Sequence, residues 1–228
     1  MNQATISADI IGYTALKDAD REILQKDLKA LMAEGARIFK KDGFYGRIVS
    51  GDQIEIALSR PAKALRLALM LKTWIKFHPA AQKKEGSSRY QYFKQHGIRL
   101  AVAIAPLNKI DPEGGIIDGE AIFLSGRKIK HQSTSRGKRI TIRNTLFFCS
   151  ENQEWDHKYT VLFALIDELI SKAKPKQCQA IYYKLGGYSE NDIIKLTGRA
   201  QANINTSSTT AGWHAIEQAV LYFESQFS

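Results

Sequence analysis

The sequence predicts an α+β protein, with a helix-covered antiparallel sheet over residues 1–150 and a small all-α part over residues 151–228. Three observations predict it. Short apolar runs alternate with amphipathic helical stretches as far as Ser150. Two of those runs are joined across the tight turn Ser50-Gly51-Asp52, the mark of an antiparallel hairpin. After Glu151 every periodic stretch repeats at helical spacing.

Residues 4–10 form a short buried strand and lead into a glycine turn, Gly12-Tyr13-Thr14. From residue 18 to 41, Ile23, Leu24, Leu28, Leu31, Met32, Ile38 and Phe39 recur at helical spacing, with Lys and Glu on the remaining faces. Residues 44–49 and 53–58 are the hairpin strands. Pro61 opens a second helix running to about residue 77. Residues 79–96 are polar and read as an exposed excursion with short local structure. Residues 98–105 alternate and are rich in Ile, Val and Leu, a clear strand. Residues 106–118 read as a turn-rich loop, 119–131 as a short helix, and 138–150 as a strand or hairpin region. The remainder is helical: residues 155–172, a helix opened by Pro175, residues 190–196 behind Ser189, residues 199–211, and a last helix after Trp213. Short helices joined by the Gly198 turn suggest a helix-turn-helix unit.

Composition excludes several classes. The chain has 228 residues, 44% hydrophobic and 25% charged, so it is neither disordered nor fibrous. No stretch approaches the ~18 consecutive apolar residues of a membrane helix, and the first residues do not read as a secretory signal. Cys149 and Cys178 form no metal spacing, and the expected setting is the reducing cytoplasm. The net charge of +10 is uneven: residues 1–150 carry 26 basic and 14 acidic side chains, residues 151–228 carry 7 and 9. The first part would attract polyanions.

Two carboxylates carry the chemistry. Asp9 ends the first strand and Asp52 sits at the hairpin tip, so a sheet that pairs these strands brings both to one edge. Two hard oxygen donors suit Mg²⁺ or Mn²⁺, with water and substrate phosphates completing the shell. Backbone N–H groups of Gly12, Tyr13 and Thr14, with the helix that follows, would hold a phosphate. Aspartates at strand ends and turns also serve as caps or solvated turn residues, and for either one alone that is the commoner role.

Taken together, four segments resemble class III nucleotide cyclases: Ala8-Asp9-Ile10-Ile11-Gly12-Tyr13-Thr14, Gly46-Arg47-Ile48-Val49-Ser50-Gly51-Asp52, Gly97 through Ile104, and Gly119 through Ile129. The second is also similar to the GGDEF signature of diguanylate cyclases. The resemblance covers about residues 4–150 and implies a ferredoxin-like, palm-type cyclase domain with Asp9 and Asp52 as metal ligands and Arg127 as the transition-state arginine. It further implies a homodimer in which Arg127 faces the partner's Asp9 and Asp52. Ile48 and a residue near Ile116 stand where those cyclases read the purine, and Phe123 stands in place of their asparagine, so an ordinary adenylate or guanylate cyclase is not expected. The whole chain, with Leu165-Ile166-Asp167-Glu168-Leu169 and Ala211-Gly212-Trp213-His214-Ala215-Ile216-Glu217, resembles the SatD family of bacterial proteins.

In the helix-turn-helix, Arg199, Gln201, Asn203, Asn205 and Ser207 are the candidate contacts to double-stranded DNA, because Arg, Gln and Asn suit base edges and Ser suits phosphates. Arg199 is the one basic residue of that stretch, so a structural or dimerising appendage stands beside the DNA reading. A basic run, Arg136, Lys138 and Arg139 with Arg143, reads first as a solvated strand. The five histidines lack paired metal spacing and read as surface or satisfied polar residues. Two functions remain: a bacterial regulator coupling a nucleotide- and metal-binding domain to DNA, or a divergent nucleotidyl cyclase or nucleotidyltransferase.

Overall fold

A computed structural model describes residues 2–82, 87–132, 142 and 144–228. The basic run at Arg136, Lys138, Arg139 and Arg143, and most of the expected strand region before Leu146, lie outside them. The chain begins β1 (Asn2–Ile10), α1 (Asp18–Ile38), β2 (Tyr45–Ser50), β3 (Gln53–Leu58), α2 (Ala64–Phe77), α3 (Ser88–His96) and β4 (Ile98–Pro106). It continues β5 (Lys109–Asp111), β6 (Ile116–Asp118), α4 (Glu120–His131) and β7 (Leu146–Ser150). Five helices follow: α5 (Gln153–Lys172), α6 (Pro175–Leu185), α7 (Glu190–Thr197), α8 (Gln201–Thr210) and α9 (Trp213–Gln226).

Among the described residues five strands form one sheet in the order β2-β3-β1-β4-β7. β1 pairs antiparallel with β3 and β4, and β7 joins β4 in parallel. The unit β1-α1-β2-β3-α2-β4 with that order is the ferredoxin-like arrangement, so the protein is mixed α+β with a mostly antiparallel sheet. Two stretches hold more order than the sequence suggests. α3 occupies the polar excursion, its first turn capped by the Ser87 side chain. β5 and β6 pair as a small separate hairpin inside the expected loop.

The two sheet faces differ in side-chain size. Ala4, Ile6, Ala8 and Ile10 of β1 and Leu100, Val102 and Ile104 of β4 join Leu24 and Leu28 of α1 and Leu65 and Leu69 of α2 in the main core. On the other face Thr5, Ser7, Ala57, Ala101 and Ala103 are small and buried, so α4 lies close. There the Ser125 hydroxyl meets those of Thr5 at 3.0 Å and Ser7 at 2.8 Å, which satisfies three buried polar groups.

The buried core continues past residue 150. Phe148 of β7 packs its ring edge-on against Phe163 of α5 and Phe223 of α9, with the Tyr159 ring tilted against it at 5.0 Å. α6 lies along α2, and Cys178, Ile181 and Tyr182 enter the same cluster as the sheet. α7 and α8 attach outside this through Ala180, Ile193 and Ile204. A three-residue connection, with Gly198 left-handed at φ 64°, separates α7 from α8. Among the described residues no helix is long and apolar enough to cross a membrane.

Candidate functional site

Directly paired residues of an antiparallel sheet point to the same face. Asp9 is opposite Gln53 on one side and Arg99 on the other, so Gln53, Asp9 and Arg99 form a row across three strands. The next row on this face holds Arg47, Glu55 and Ser7. Both rows lie opposite the α1 and α2 layer. α4 covers part of this face and leaves a cleft of about 490 Å³, floored by Ser7, Asp9, Gln53 and Glu55 and walled by Arg99, Gly126, Ile129 and Lys130.

The hairpin tip is tied to the end of β1. The Ile10 N–H donates to the Asp52 carbonyl at 2.9 Å, which brings the two predicted metal aspartates to one sheet edge. The Ser50 hydroxyl donates to Asp52 Oδ1 at 3.3 Å. Arg99 Nε lies 3.7 Å from Asp9 Oδ1, an ion pair without a hydrogen bond. Asp9 Oδ1 is shielded from solvent and has no hydrogen-bond partner. Burial pushes the Asp9 pKa up, the Arg99 charge opposes this, and the Asp52 charge adds to it. An orphaned carboxylate oxygen beside a second carboxylate is a donor set that fits a hard divalent cation. Asp9 and Asp52 would hold it, and it would supply positive charge to a phosphate.

Gly12 turns the chain with φ 69°, and a Cβ there would lie 2.6 Å from the Arg89 carbonyl oxygen, so only glycine fits. Tyr13 and Thr14 begin a single 3₁₀ turn, and α1 starts only at Asp18. The helix end expected to lie behind the phosphate turn is therefore displaced along the chain, and the turn's own amides are what it offers. The Tyr13 hydroxyl accepts from Gln25 at 2.6 Å and lies against Gly51, so the ring wedges α1 against the hairpin tip.

Arg127 lies on the outer flank of α4, in a separate hollow of about 250 Å³ with Leu124, Lys128, His131, Cys149, Ser150 and Asp156. Within one chain it is not part of the Asp9 cleft. Ile48 faces the main core, paired with Ile54, before a β-bulge shifts the register at Ser50. The β2 residue on the cleft face is Arg47, which donates to Glu55 at 2.5 and 2.9 Å and to the Gly115 carbonyl. Its guanidinium thereby ties the β5–β6 hairpin to the sheet.

The predicted DNA contacts are partly engaged within the chain. Arg199 donates to the Lys176 carbonyl at 3.0 Å, the Asn203 carbonyl at 3.1 Å and the Ser207 hydroxyl at 2.5 Å. Gln201 donates to Glu190 at 2.6 Å, Asn203 is exposed, and Asn205 is half-buried. His78 is buried, not superficial: Nε2 meets Asp27 at 3.0 Å and Nδ1 accepts from the Ala80 N–H.

Sequence reasoning did not single out Gln53, Glu55, Arg99 or Lys130. A usable signal existed for Arg99, a lone cation inside the apolar run of β4, directly opposite Asp9.

No protein-family model matches the chain, and no curated protein matches it by sequence. Among solved structures it is similar to a bacterial light-regulated adenylyl cyclase, with TM-score 0.42 and 12% identity over 65% of this chain and 42% of that one. A second structure of a bacterial light-regulated adenylyl cyclase gives TM-score 0.41 and 13% identity, over 64% and 74%. The guanylyl cyclase Cya2 gives TM-score 0.43 and 13% identity, over 72% and 78%. The chain thus spans less than half of the first of these.

Proposed function

We propose that the cleft between the sheet and α4 binds a nucleotide or another phosphorylated ligand together with Mg²⁺ or Mn²⁺, in a cytoplasmic regulatory protein with a divergent cyclase-like domain. One observation carries this reading. The Ile10–Asp52 backbone bond sets the hairpin tip against the end of β1, near enough for the Asp52 charge to act on Asp9, which lines the cleft with an oxygen that no hydrogen-bond donor meets. Arg99 gives that oxygen a charge at 3.7 Å but no hydrogen bond, so it stays costly to bury until a donor or a ligated cation completes it. Asp9 and Asp52 would ligate the cation, and the amides of Gly12, Tyr13 and Thr14 would meet phosphate at the same end of the sheet. Arg127 and exposed Phe123 lie on the free face of α4, where a second copy would meet them in a homodimer. The α7–α8 unit supports a contact to double-stranded DNA through its short turn and exposed Asn203. The internal engagement of Arg199 and the absence of basic residues from α8 make that contact weak by itself.

The second reading is an active nucleotidyl cyclase or nucleotidyltransferase. It is favoured by the candidate metal aspartates and the phosphate turn lying at one end of the sheet, a pairing suited to chemistry on a triphosphate, while Ile48 faces the core and offers no purine contact. One experiment tests both. The protein is incubated with Mn²⁺ and each of the four nucleoside triphosphates, with binding followed by calorimetry and pyrophosphate by assay. The regulatory reading expects saturable binding of at least one nucleotide, lost in Asp9→Asn and Asp52→Ala, without pyrophosphate release. Release that disappears in Asp52→Ala establishes the enzyme, and absence of binding by all four overturns nucleotide recognition.

A further inference from the structure

We infer that the cleft takes cation and phosphate as a pair, because Arg99 offsets the charge of Asp9 while Lys130 stands ready to hold the phosphate. The inference rests on the ligand-binding reading of the same cleft and concerns the interdependence of binding.

Glu55 is matched by Arg47 at 2.5 Å, so that row is neutral. Among the described residues this leaves Asp9 and Asp52 against Arg99 and Lys130, two formal charges of each sign. A bare divalent cation entering there gains from the carboxylates but is repelled by Arg99. Arg99 cannot swing away cheaply: its side chain is 5% exposed, and its Nη1 donates to the Gln132 carbonyl at 2.7 Å. The guanidinium is thus a fixed counter-charge, 3.7 Å from Asp9.

Lys130 differs. It is exposed on the cleft wall, one helical turn after Gly126. Residues four apart share a helix face. A Cβ at Gly126 would come no nearer than 4.0 Å to Ser7 Oγ, so the glycine leaves the space between α4 and the floor open. A long flexible ammonium at the mouth of that space suits a mobile oxyanion. A phosphate that bridges the cation and Lys130 adds the negative charge that Arg99 has cancelled. Each ligand then strengthens the other, and the coupling is reciprocal.

Equilibrium dialysis of radiolabelled Mn²⁺, with and without inorganic pyrophosphate, tests this. The protein-free chamber accounts for the complex that forms in solution. Pyrophosphate is expected to tighten Mn²⁺ binding about tenfold. In Lys130→Gln, an exposed change that leaves the core untouched, the enhancement should fall below about twofold. Arg99→Gln should raise the affinity for bare Mn²⁺ about threefold, while Arg99→Lys stays near the parent. Equal Mn²⁺ affinity with and without pyrophosphate overturns the pairing, as does an undiminished enhancement in Lys130→Gln. Both results leave the ligand-binding reading standing. A protein that retains Mn²⁺ under neither condition overturns that reading as well.

Discussion

His96 ends α3 close to the buried Lys72 and Lys76, and burial first, then the Lys72 charge, lower its pKa to about 4. Unfolded, the same imidazole takes up a proton near its ordinary value of 6.5. Between those values the unfolded chain binds the extra proton, so stability is lost as pH falls from 6.5 toward 4. His78, also lowered by burial, acts in the same sense. Urea midpoints measured across that interval should fall with pH, and His96→Gln should flatten the slope. The cysteines behave oppositely. Burial pushes the Cys149 thiol up to about 12 and that of Cys178 to about 11. Native protein at neutral pH should therefore resist a thiol-specific reagent that labels both residues once urea unfolds it, and rapid labelling of the native state would contradict their burial.

Between elements, the tie that matters most is ionic and buried. Lys72 of α2 lies 2.9 Å from Asp167 of α5, with side chains 0% and 5% exposed. Asp167 also accepts from the backbone N–H and hydroxyl of Thr145 and from the Leu146 N–H. Burial alone would raise the Asp167 pKa. The Lys72 charge and the Thr145 donors outweigh it and hold the carboxyl below its ordinary value. This network fixes the start of β7 between two helices. Lys72→Met leaves the carboxylate buried without its cation and is expected to cost about 3–5 kcal/mol by urea denaturation. The Leu146 amide should exchange faster in that variant. At the same end of the sheet, beyond β1, Gly12→Ala combines a left-handed φ with a clash against the Arg89 carbonyl. It should cost about 1–3 kcal/mol and weaken phosphate binding at the turn, as read from melting and calorimetry.

For the whole molecule, sheet and C-terminal helices share one interior. Phe148, Tyr159, Phe163 and Phe223 meet across residue 150, and Lys63 and Arg66 reach Glu224 of α9 at 2.8 and 2.6 Å. Cutting the chain there exposes aromatic surface on both pieces. Residues 1–150 expressed alone should bind hydrophobic dye and lose near-ultraviolet dichroism, and residues 151–228 alone should lack cooperative melting. Two independently cooperative pieces would show that the shared interior is not needed for folding. DNA binding is accordingly measured on the full chain, where Arg199→Ala should change affinity little if its guanidinium stays engaged by Lys176, Asn203 and Ser207.

The alternation in residues 4–10 and 98–105, the Gly51-Asp52 tip, Pro61 and Pro175 at helix starts, and the Ser189 cap were legible because each depends on near neighbours in the chain. The candidate aspartates were legible for the same reason, each lying at the end of a recognisable element. The tertiary structure decided which face each side chain occupies. Ile48 turned to the core and Arg47 to the cleft because strand register is set by partners distant in sequence, and the bulge at Ser50 shifts it. The same holds for Arg99, which became a counter-charge only when β4 paired beside β1, and for Arg199, drawn inward by a carbonyl on another helix. The shared interior likewise had no local mark, since Phe148 and Phe223 are placed together by the packing of β7, α5 and α9. Periodicity and turn chemistry are written in short stretches of chain. Burial, charge pairing and the contents of a cleft arise from contacts between distant residues, and those follow from the fold.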